Sequence, residues 1–392
     1  MAIADLTDIH VAPVIHAAPV VKRADQRDFL GCAAALYRDD PHWIAPLRFE
    51  ERMRVFGKNP LFEHAEVKAW VARRGGRPLG RITAQIDRLQ QETQGNQAGS
   101  FGMLEAEDDP EVFAALFGAA EAWLRERGCT EVRGPFNLSI NEEAGLLVEG
   151  FDTPPCVMMG HGRPYYPARV EEQGYEKAQD LFAYTLKSAF APPPVMLKLA
   201  ERAAREVRMR TLRRRDLAAE LEILRDIFND AWAGNWGFVP FTRAEFTELG
   251  KVMAALIPED YVQIAEIDGR PVAFVVALPN VNEAARDLRG RLLPLGWVKL
   301  LWRLKVSGVR SGRVPLLGVR SEYHNTRLGP TLAFMVTNAV RGRLAQRGII
   351  DVELSWILEG NSGMRNITET IGGSAYKRYR IYRKRLSLPH AE

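Results

Sequence analysis

The chain is poor in the residues that hold metals or form disulfides. Its 392 residues include only three cysteines, Cys32, Cys129 and Cys156, which lie far apart and form no CxxC pair, and its seven histidines do not cluster. This spacing encodes neither a zinc site nor a disulfide framework. We therefore expect no metal cofactor and a reducing, cytoplasmic environment.

Long apolar runs and a targeting segment are also missing. No stretch reaches the ~20 apolar residues that a membrane-spanning helix needs. The segment Met1–Gln26 has early acidic residues and neither a basic n-region nor a continuous apolar run, so we expect no signal peptide. The chain also lacks the glutamate-rich helix with which a nucleotide pyrophosphohydrolase would hold divalent cations.

The overall composition is that of an ordinary globular protein. Hydrophobic residues make up 46% and charged residues 26% of the chain, and the formal net charge is +4. This mild positive charge favours acidic partners such as CoA phosphates, anionic lipid or nucleic acid, without choosing among them. The length predicts two domains of similar size.

A proline run in mid-chain marks the predicted boundary between these domains. Because Pro192-Pro193-Pro194 forms a stiff connector, we assign residues 191–204 to a linker and helix start. The linker joins an N-terminal lobe at 21–190 to a C-terminal lobe at 205–387, and a flexible leader covers residues 1–20.

The two lobes show the same order of predicted elements. In the first lobe, a hairpin joins strands Val67–Arg73 and Leu79–Ile86, and an amphipathic helix follows over Val112–Leu124. The elements predicted in the second lobe are strands Tyr261–Glu266, Pro271–Leu278 and Val314–Val319, helix Thr331–Arg347 and strand Ile350–Trp356. This order predicts an α/β fold of α+β type, a mixed sheet covered by helices, built as two tandem lobes.

A turn before a helix N-terminus is the candidate anion site of the second lobe. The segment after predicted strand Val314–Val319 runs through His324-Asn325-Thr326-Arg327-Leu328-Gly329-Pro330 into the helix predicted from Thr331. Free N–H groups and the helix dipole favour a phosphate at such a position.

With these motifs the second lobe resembles a domain of the GNAT superfamily of N-acetyltransferases. In that superfamily a strand precedes a Q/R-x-x-G-x-G/A turn that cradles the CoA pyrophosphate, and a later strand precedes an asparagine, here Asn361. The resemblance implies acyl-CoA as co-substrate. It implies that the backbone of Leu317, Gly318 and Val319 pairs with the pantetheine arm, that the turn His324–Pro330 holds the pyrophosphate, and that Asn361 contacts CoA.

The sequence departs from the superfamily pattern at two positions. Aligned on Gly329, the first glycine of the turn is replaced by Arg327, whose side chain could hold phosphate with its own fork of donors. The tyrosine that often serves as general acid is replaced by Thr368, with Tyr376 and Tyr379 as possible substitutes.

Amide formation from a thioester needs an oriented amine and a base that removes its proton. Glu322, just beyond the central strand, is our first candidate for this base, and Glu353 on the next strand is the second. A solvated turn acid and a strand-face acid are the alternative interpretations of these two residues. Glu142 and Asp152 are alternative bases if the acceptor binds between the lobes.

The first lobe contains an unusual polar stretch after Gly134. Alternation of apolar residues with Asn137, Ser139 and Asn141 predicts a strand whose polar face addresses a substrate headgroup, together with Tyr165 and Tyr166. A solvated strand face and proline turns are the alternative. The stretch GPFNLSINEEAGLLVEGFDTPPCVMM and the later YY pair resemble a proteobacterial family of tandem GNAT-like proteins.

An insertion at 280–313 interleaves leucines and tryptophans with basic residues, and Lys299 and Arg303 share one helical face. This pattern is typical of a helix that lies on an anionic membrane, although packing on the protein's own sheet is the alternative. We therefore expect a cytoplasmic protein that can lie peripherally on the cytoplasmic face of the inner membrane. If both substrates carry long chains, the product is an N-acylated lipid, and the chain resembles the GNAT-like bacterial ceramide synthases, which acylate sphingoid bases.

Three other functions stay open at this point. A small-amine or peptide N-acetyltransferase fits the same lobe, and the departures at Arg327 and Thr368 also suit a non-catalytic acyl-CoA or lipid-binding protein. Aromatic and basic residues alternate over 376–385, as in some nucleic-acid-binding segments. The alternation more simply indicates a terminal strand, so we expect no nucleic-acid partner.

Overall fold

A computed structural model describes residues 15–387 of the protein. Of the predicted leader, residues 1–14 lie outside the described part, whereas His16–Pro19 form the first strand. The strands are β1 His16–Pro19, β2 Ala65–Arg74, β3 Arg77–Asp87, β4 Ala98–Ala106, β5 Glu131–Gly134, β6 Leu146–Glu149, β7 Glu176–Lys187, β8 Val207–Thr211, β9 Val262–Ile267, β10 Arg270–Pro279, β11 Ser311–Val319, β12 Asp351–Leu358 and β13 Ser374–Arg385.

Twelve α-helices accompany these strands within residues 15–387. They are α1 Arg23–Leu36, α2 Arg48–Phe56, α3 Arg88–Gln94, α4 Pro110–Arg125, α5 Tyr166–Glu172, α6 Pro194–Ala203, α7 Leu217–Trp232, α8 Arg243–Leu256, α9 Val281–Ala285, α10 Gly296–Trp302, α11 Leu328–Gln346 and α12 Ser362–Thr370. Local sequence explains several helix starts. Asp109 accepts a hydrogen bond from the Glu111 N–H ahead of α4, and Thr242 and Glu245 form a capping box for α8.

All thirteen strands belong to one mixed sheet that runs through both halves of the chain. The order is β1-β2-β3-β4-β5-β13-β7-β12-β11-β10-β9-β8, with β6 paired to β13. The last strand, β13, therefore lies between β5 and β7, which are both strands of the first half. In turn, β7 pairs with β12 of the second half. This exchange joins the halves into one sheet, and the predicted mixed α/β fold class is confirmed.

Each half has its own apolar core on the sheet. Phe101, Phe117 and Trp123 belong to the core of the first half, and Phe228 and Phe274 belong to that of the second. A third buried cluster, which includes Phe136 and Tyr379, lies where the halves meet. The junction between the halves is therefore a packed core that can support a site.

The insertion contains the predicted helical segment, but the helix covers only part of it. The short helix α9 comes first, and α10 then continues directly into a π-helical turn at Arg303–Ser307. Lys299 and Arg303 do lie close together, and both pair with Asp287. Seven large apolar side chains of the insertion are exposed, namely Leu293, Leu295, Trp297, Val298, Leu301, Trp302 and Val306.

Candidate active site

A fork between two parallel strands organises the candidate site. Strands β11 and β12 pair from Ser311 opposite Asp351 to Val314 opposite Leu354, and then they separate. Beyond this point β11 stays paired with β10, and β12 stays paired with β7. We call the two separated arms, Pro315–Val319 and Ser355–Leu358, the C-terminal fork. Predicted pantetheine contacts Leu317, Gly318 and Val319 all lie on its first arm.

An apolar cleft opens at this fork and extends to the other half of the chain. It encloses about 670 Å³ of empty space, including its opening to solvent. Pro315, Leu316, Trp356 and Leu358 of the fork line it. The other walls come from aromatic residues of α7 and the segment after it and from the loop of the first half, namely Phe228, Trp232, Trp236, Phe238, Ile140, Asn141 and Ala144. A long aliphatic chain matches such a lining.

The predicted pyrophosphate turn lies at the outer end of the first arm. Its backbone is held by internal hydrogen bonds: Thr326 donates to the Tyr323 carbonyl at 2.9 Å, and its Oγ1 accepts from the Gly329 N–H at 3.3 Å. A Cβ on residue 329 would lie 2.3 Å from the Tyr323 oxygen, so this close turn requires glycine. Arg327 adopts a right-handed helical conformation. The non-glycine residue is therefore unstrained there, and its exposed side chain adds cationic donors to the N-terminus of α11.

Asn361 acts as a helix cap. Its Oδ1 accepts a hydrogen bond from the Met364 N–H at 3.0 Å, at the start of α12. Thr368, which occupies the position of the superfamily tyrosine, is buried in the same helix and donates to the Met364 carbonyl. Thr368 is therefore a packed helix residue in this chain.

The two glutamates of the second half lie in contrasting places. Glu322 is 46% exposed at the outer end of the first arm, where it pairs with Arg270 at 2.9 Å. Glu353 is 4% exposed at the closed end of the fork. Of the two, Glu353 is the buried carboxylate, and its strand β12 continues into the second arm of the fork.

Glu353 is the centre of a buried polar network. Its Oε1 accepts a hydrogen bond from Ser355 at 2.7 Å and lies 3.4 Å from the Nε of Arg313, which is fully buried. Its Oε2 accepts the hydroxyl hydrogen of Tyr376. Burial and the Glu353 charge raise the pKa of Tyr376 above its usual value. Tyr376 is therefore a protonated donor at neutral pH.

Two buried N–H donors beside this network have no acceptor among residues 15–387. They are the Nη2 of Arg313 and the Nε1 of Trp356, and the Arg313 guanidinium lies 4.7 Å from the Trp356 ring centre. Buried donors are normally paired, because an unpaired one costs about 1–3 kcal/mol. The pair is therefore suited to an oxygen atom of a ligand that reaches the wall formed by Trp356.

A β-bulge interrupts strand β13 at Tyr376 and Lys377. The pairing of β13 with β7 shifts between Ala375 and Lys377, so the side chains of these two consecutive residues need not point to opposite faces of the sheet. The Lys377 Nζ donates to the carbonyls of Gly150 and Thr153 and lies 5.5 Å from the Tyr376 ring centre. Burial lowers the pKa of Lys377 to about 8, against the opposing effect of Glu353.

The polar stretch of the first lobe is a loop, so the prediction of a strand over 136–141 is wrong. Asn137 to Glu142 form bends and turns, and Leu138 has a φ of 86°. Asn137 accepts a hydrogen bond from the Met103 N–H at 2.7 Å and donates to Glu143 at the same distance. These bonds close the loop, and they replace the ladder of a strand.

This loop fills a second fork, between β4 and β5. These strands pair only from Ala98 opposite Glu131 to Ser100 opposite Arg133. The Phe136 carbonyl then comes so close to Gly102 that a Cβ there would lie 1.8 Å away. The space equivalent to the C-terminal fork is therefore occupied by the chain itself.

Of the other predicted residues of the first half, Asn141 lines the cleft. Its amide donates to the Val239 carbonyl at 3.0 Å and so links the two halves. Ser139 is buried, and its Oγ accepts from the Asn141 N–H. Tyr165 and Tyr166 hydrogen-bond the end of β4, at Ala106 and Glu105, within the core of the first half.

The two alternative bases have different surroundings. Glu142 pairs with Arg54 at 2.9 Å, and burial raises the pKa of this carboxyl. Asp152 is exposed next to the segment that covers Lys377. Neither carboxylate lines the cleft at the C-terminal fork, and Glu353 does not line it either.

Sequence reasoning missed Arg313, Ser355 and Lys377 as members of the site. Arg313 was assigned to the basic insertion, although it lies in the strand that forms the fork. The available signal was parity: positions 353 and 355 lie on one side of a predicted strand, and both are polar. Lys377 was not predicted because the alternation of residue types along a strand does not reveal a β-bulge. Within residues 15–387, no group of three or more His, Cys, Asp or Glu side chains is arranged to hold a metal.

Comparison with known proteins identifies two relatives over nearly the full length. The chain is 51% identical over 367 residues to Protein YghO of Escherichia coli, covering 93% of this chain and 94% of the relative. It is 50% identical over 371 residues to the bacterial ceramide synthase of Caulobacter vibrioides, covering 94% and 97%. No protein-family model matches the chain.

A solved structure is similar in fold. The tandem GNAT protein from the clavulanic acid biosynthesis pathway superposes with a TM-score of 0.55 at 14% identity, covering 95% of this chain and 99% of that one. This likeness extends over both halves. The tandem GNAT-like architecture inferred from the sequence motifs is therefore confirmed.

Proposed function

Since this chain belongs to the family that includes the bacterial ceramide synthase and has the tandem GNAT fold, we propose that it transfers a long acyl group from acyl-CoA to the amine of a sphingoid base. The reaction breaks the C–S thioester bond, forms a C–N amide bond and yields a (dihydro)ceramide. The proton lost by the amine leaves on the CoA thiol. One observation carries the proposal: an apolar cleft opens at the C-terminal fork, and Trp356 of its wall lies against Arg313, which pairs with the buried Glu353.

Glu353 is the proposed base. Its carboxylate is buried at the closed end of the fork, and its Oε1 lies 3.4 Å from the Nε of Arg313. We assign Tyr376 the role of a relay: its oxygen accepts the amine proton while its own proton moves to Glu353. The hydrogen bond from Tyr376 to Glu353 supports this role. Glu322, Glu142 and Asp152 are then outside the chemistry.

The free donors of Arg313 and Trp356 support an acceptor that carries oxygen next to its amine. In a sphingoid base the amine and a hydroxyl group sit on adjacent carbons. If the amine reaches the Tyr376–Glu353 pair, a neighbouring oxygen can accept from the Nη2 of Arg313, which is part of the same network. A simple alkyl amine leaves these donors unpaired, which costs binding energy.

Acyl-CoA is the proposed donor, held along the first arm of the fork. The backbone of Leu317, Gly318 and Val319 would follow the pantetheine, and the turn with Arg327 at the N-terminus of α11 would hold the pyrophosphate. Asn361 would support this site indirectly by capping α12.

The exposed face of the insertion is the proposed membrane contact. Leu293 is 81% and Trp302 60% exposed, and five further large apolar side chains accompany them. Arg286, Arg289, Arg291, Lys305 and Arg310 are exposed nearby along the chain. Apolar side chains with surrounding basic groups match a membrane interface that carries anionic lipid. Among residues 15–387, no helix is long and apolar enough to cross a membrane.

Thiol release tests the proposed function directly. Purified protein is given acetyl-CoA or palmitoyl-CoA, each with and without sphinganine in mixed micelles. We expect release only with palmitoyl-CoA and sphinganine together, and loss of release in Glu353→Gln. Release with acetyl-CoA and small amines indicates a small-acceptor enzyme instead. Tight palmitoyl-CoA binding without release indicates a non-catalytic binding protein.

A further inference from the structure

A second cavity lies inside the second half, between helices α7 and α8 and the sheet. It contains about 400 Å³ of empty space, including its opening. Leu221 and Leu224 of α7 line one side, Met253 and Ala254 of α8 line another, and Val276 of β10 lies on the sheet side. All twelve lining residues are apolar. A water molecule finds few hydrogen-bond partners in such a space, whereas a hydrocarbon chain would bury its apolar surface against the walls.

Leu316 connects this cavity to the cleft, because it lines both. It follows Pro315 at the point where β11 separates from β12, on the arm of the fork that is expected to carry the pantetheine. A thioester held in the fork would therefore have Leu316 between its carbonyl carbon and the second cavity.

We infer that the second cavity, which we call the chain cavity, receives the far end of the donor's acyl chain, and that Leu316 controls entry to it. The inference rests on the proposed function and deepens it by naming the site that selects the donor by the length of its acyl chain. The acceptor's own alkyl chain is then left with the aromatic part of the cleft, around Trp232 and Trp236.

The position of the chain cavity relative to the insertion supports this assignment. Met253, Ala254 and Ile257 line the cavity at the end of α8. The carbonyls of Ala255 and Leu256 in the same helix end accept hydrogen bonds from Lys305 of the insertion. The far end of the cavity therefore lies next to the element proposed to contact lipid, where a long chain has to be delivered.

Chain-length profiles test the inference. For the unaltered protein we expect kcat/KM to rise about fourfold for each methylene added to the donor until the cavity is filled. Ala254→Leu shortens the cavity, so the optimum moves to donors several methylenes shorter, and kcat/KM falls most for the donors with the longest chains. Ala255→Leu is the matched control, because the next residue of the helix is exposed and its side chain lies outside the cavity lining. This control leaves the profile unchanged.

Two outcomes overturn the inference. The first is that Ala254→Leu lowers kcat/KM for all donors by the same factor, and the second is that it shifts the preferred length of the acceptor instead of the donor. The second result assigns the cavity to the acceptor chain.

Cross-linking of the unaltered protein decides the question even if Ala254→Leu folds poorly. Palmitoyl-CoA with a photoreactive diazirine at its last carbons is irradiated in the complex. Labelling of α8, at Met253 or Ile257, supports the inference, and labelling confined to Trp232 and Trp236 overturns it. Because this readout needs no turnover, it remains decisive if thiol release fails with every donor, a result that would overturn the proposed function alone.

Discussion

Arg313 and Glu353 form an ion pair that is almost completely hidden from water. The Nε of Arg313 lies 3.4 Å from the Oε1 of Glu353, and the two side chains are 0% and 3% exposed. Removing one partner from such a pair typically costs 3–5 kcal/mol, because the other charge stays buried without compensation. The fold keeps this costly pair beside the C-terminal fork, as expected for a working site.

Substitution of Glu353 separates chemistry from binding. In Glu353→Gln we expect kcat to fall by about 10²- to 10⁴-fold, because the base is lost, while palmitoyl-CoA still binds. Thiol release and equilibrium binding of palmitoyl-CoA are measured on the same preparation. Glu322→Gln is the matched control and keeps kcat within about twofold, since that carboxylate is exposed. Equal losses in the two variants would argue against Glu353 as the base.

Local sequence signals predicted the elements around the fork well. The strands at 314–319 and 350–356 and the helix from 331 were found within a few residues of β11, β12 and α11, because strand runs and helix stripes have clear periods. The second hairpin was predicted equally well, since Asp268 and Gly269 supply the turn residues.

The contacts between distant segments could not be predicted in this way. No local sequence pattern indicates that β13 enters the sheet between β5 and β7, because that pairing depends on the whole fold. The loop after Gly134 alternates like a strand, yet tertiary hydrogen bonds from Asn137 override the pattern. The exposure of Glu322 and the burial of Glu353 could not be judged from the sequence either, because both depend on the packing of distant segments.

Arg327 offers a test of phosphate binding. Because charge-assisted hydrogen bonds contribute about 1.5–3 kcal/mol, Arg327→Gln should raise the KM for palmitoyl-CoA roughly tenfold with little change in kcat. The effect should shrink at high salt, which screens exposed charges. Arg208→Gln, an exposed change on β8, serves as control. An unchanged KM would exclude Arg327 from the CoA site.

One molecule of acyl-CoA should bind each chain. The fork between β4 and β5 is filled by the loop around Phe136, and α4 is preceded by Glu107, Asp108 and Asp109, which repel phosphate. Isothermal titration with a non-hydrolysable palmitoyl-CoA analogue should therefore give a stoichiometry near one. Arg327→Gln should weaken that single event. A second binding event that survives this change would reveal a site in the first half.

Membrane attachment should depend on the exposed tryptophans of the insertion. In Trp297→Ala/Trp302→Ala we expect binding to vesicles with 30% phosphatidylglycerol to fall about tenfold or more, because two large interfacial side chains are lost. Vesicle co-sedimentation at low and high salt measures this change. Val195→Ala/Leu197→Ala removes exposed apolar groups from α6 and should have no effect. If both variants bind equally well, the insertion is not the contact.

His64 connects the two halves and should make their stability depend on pH. Its Nδ1 lies 2.8 Å from Asp87, and its Nε2 lies 3.3 Å from Glu245 of α8. Hydrogen bonding to Asp87, then to Glu245, raises the pKa of His64 to about 10, against about 6.5 in an unfolded chain. The folded state therefore holds the proton more tightly. Its stabilisation is complete below pH 6.5 and is lost as the pH rises through 10.

Urea unfolding between pH 6 and pH 10 measures this contribution. We expect the unaltered protein to exceed His64→Gln by about 1–2 kcal/mol near pH 6.5, after allowance for solvent screening, and the difference should vanish near pH 10. His16→Gln, at an exposed position on β1, should follow the unaltered protein throughout. A difference that stays constant with pH would mean that His64 acts by packing alone. A difference in unfolding free energy that shrinks as the pH rises would show that a charged bridge holds α8 against the first half. The aromatic wall of the cleft would be held with it.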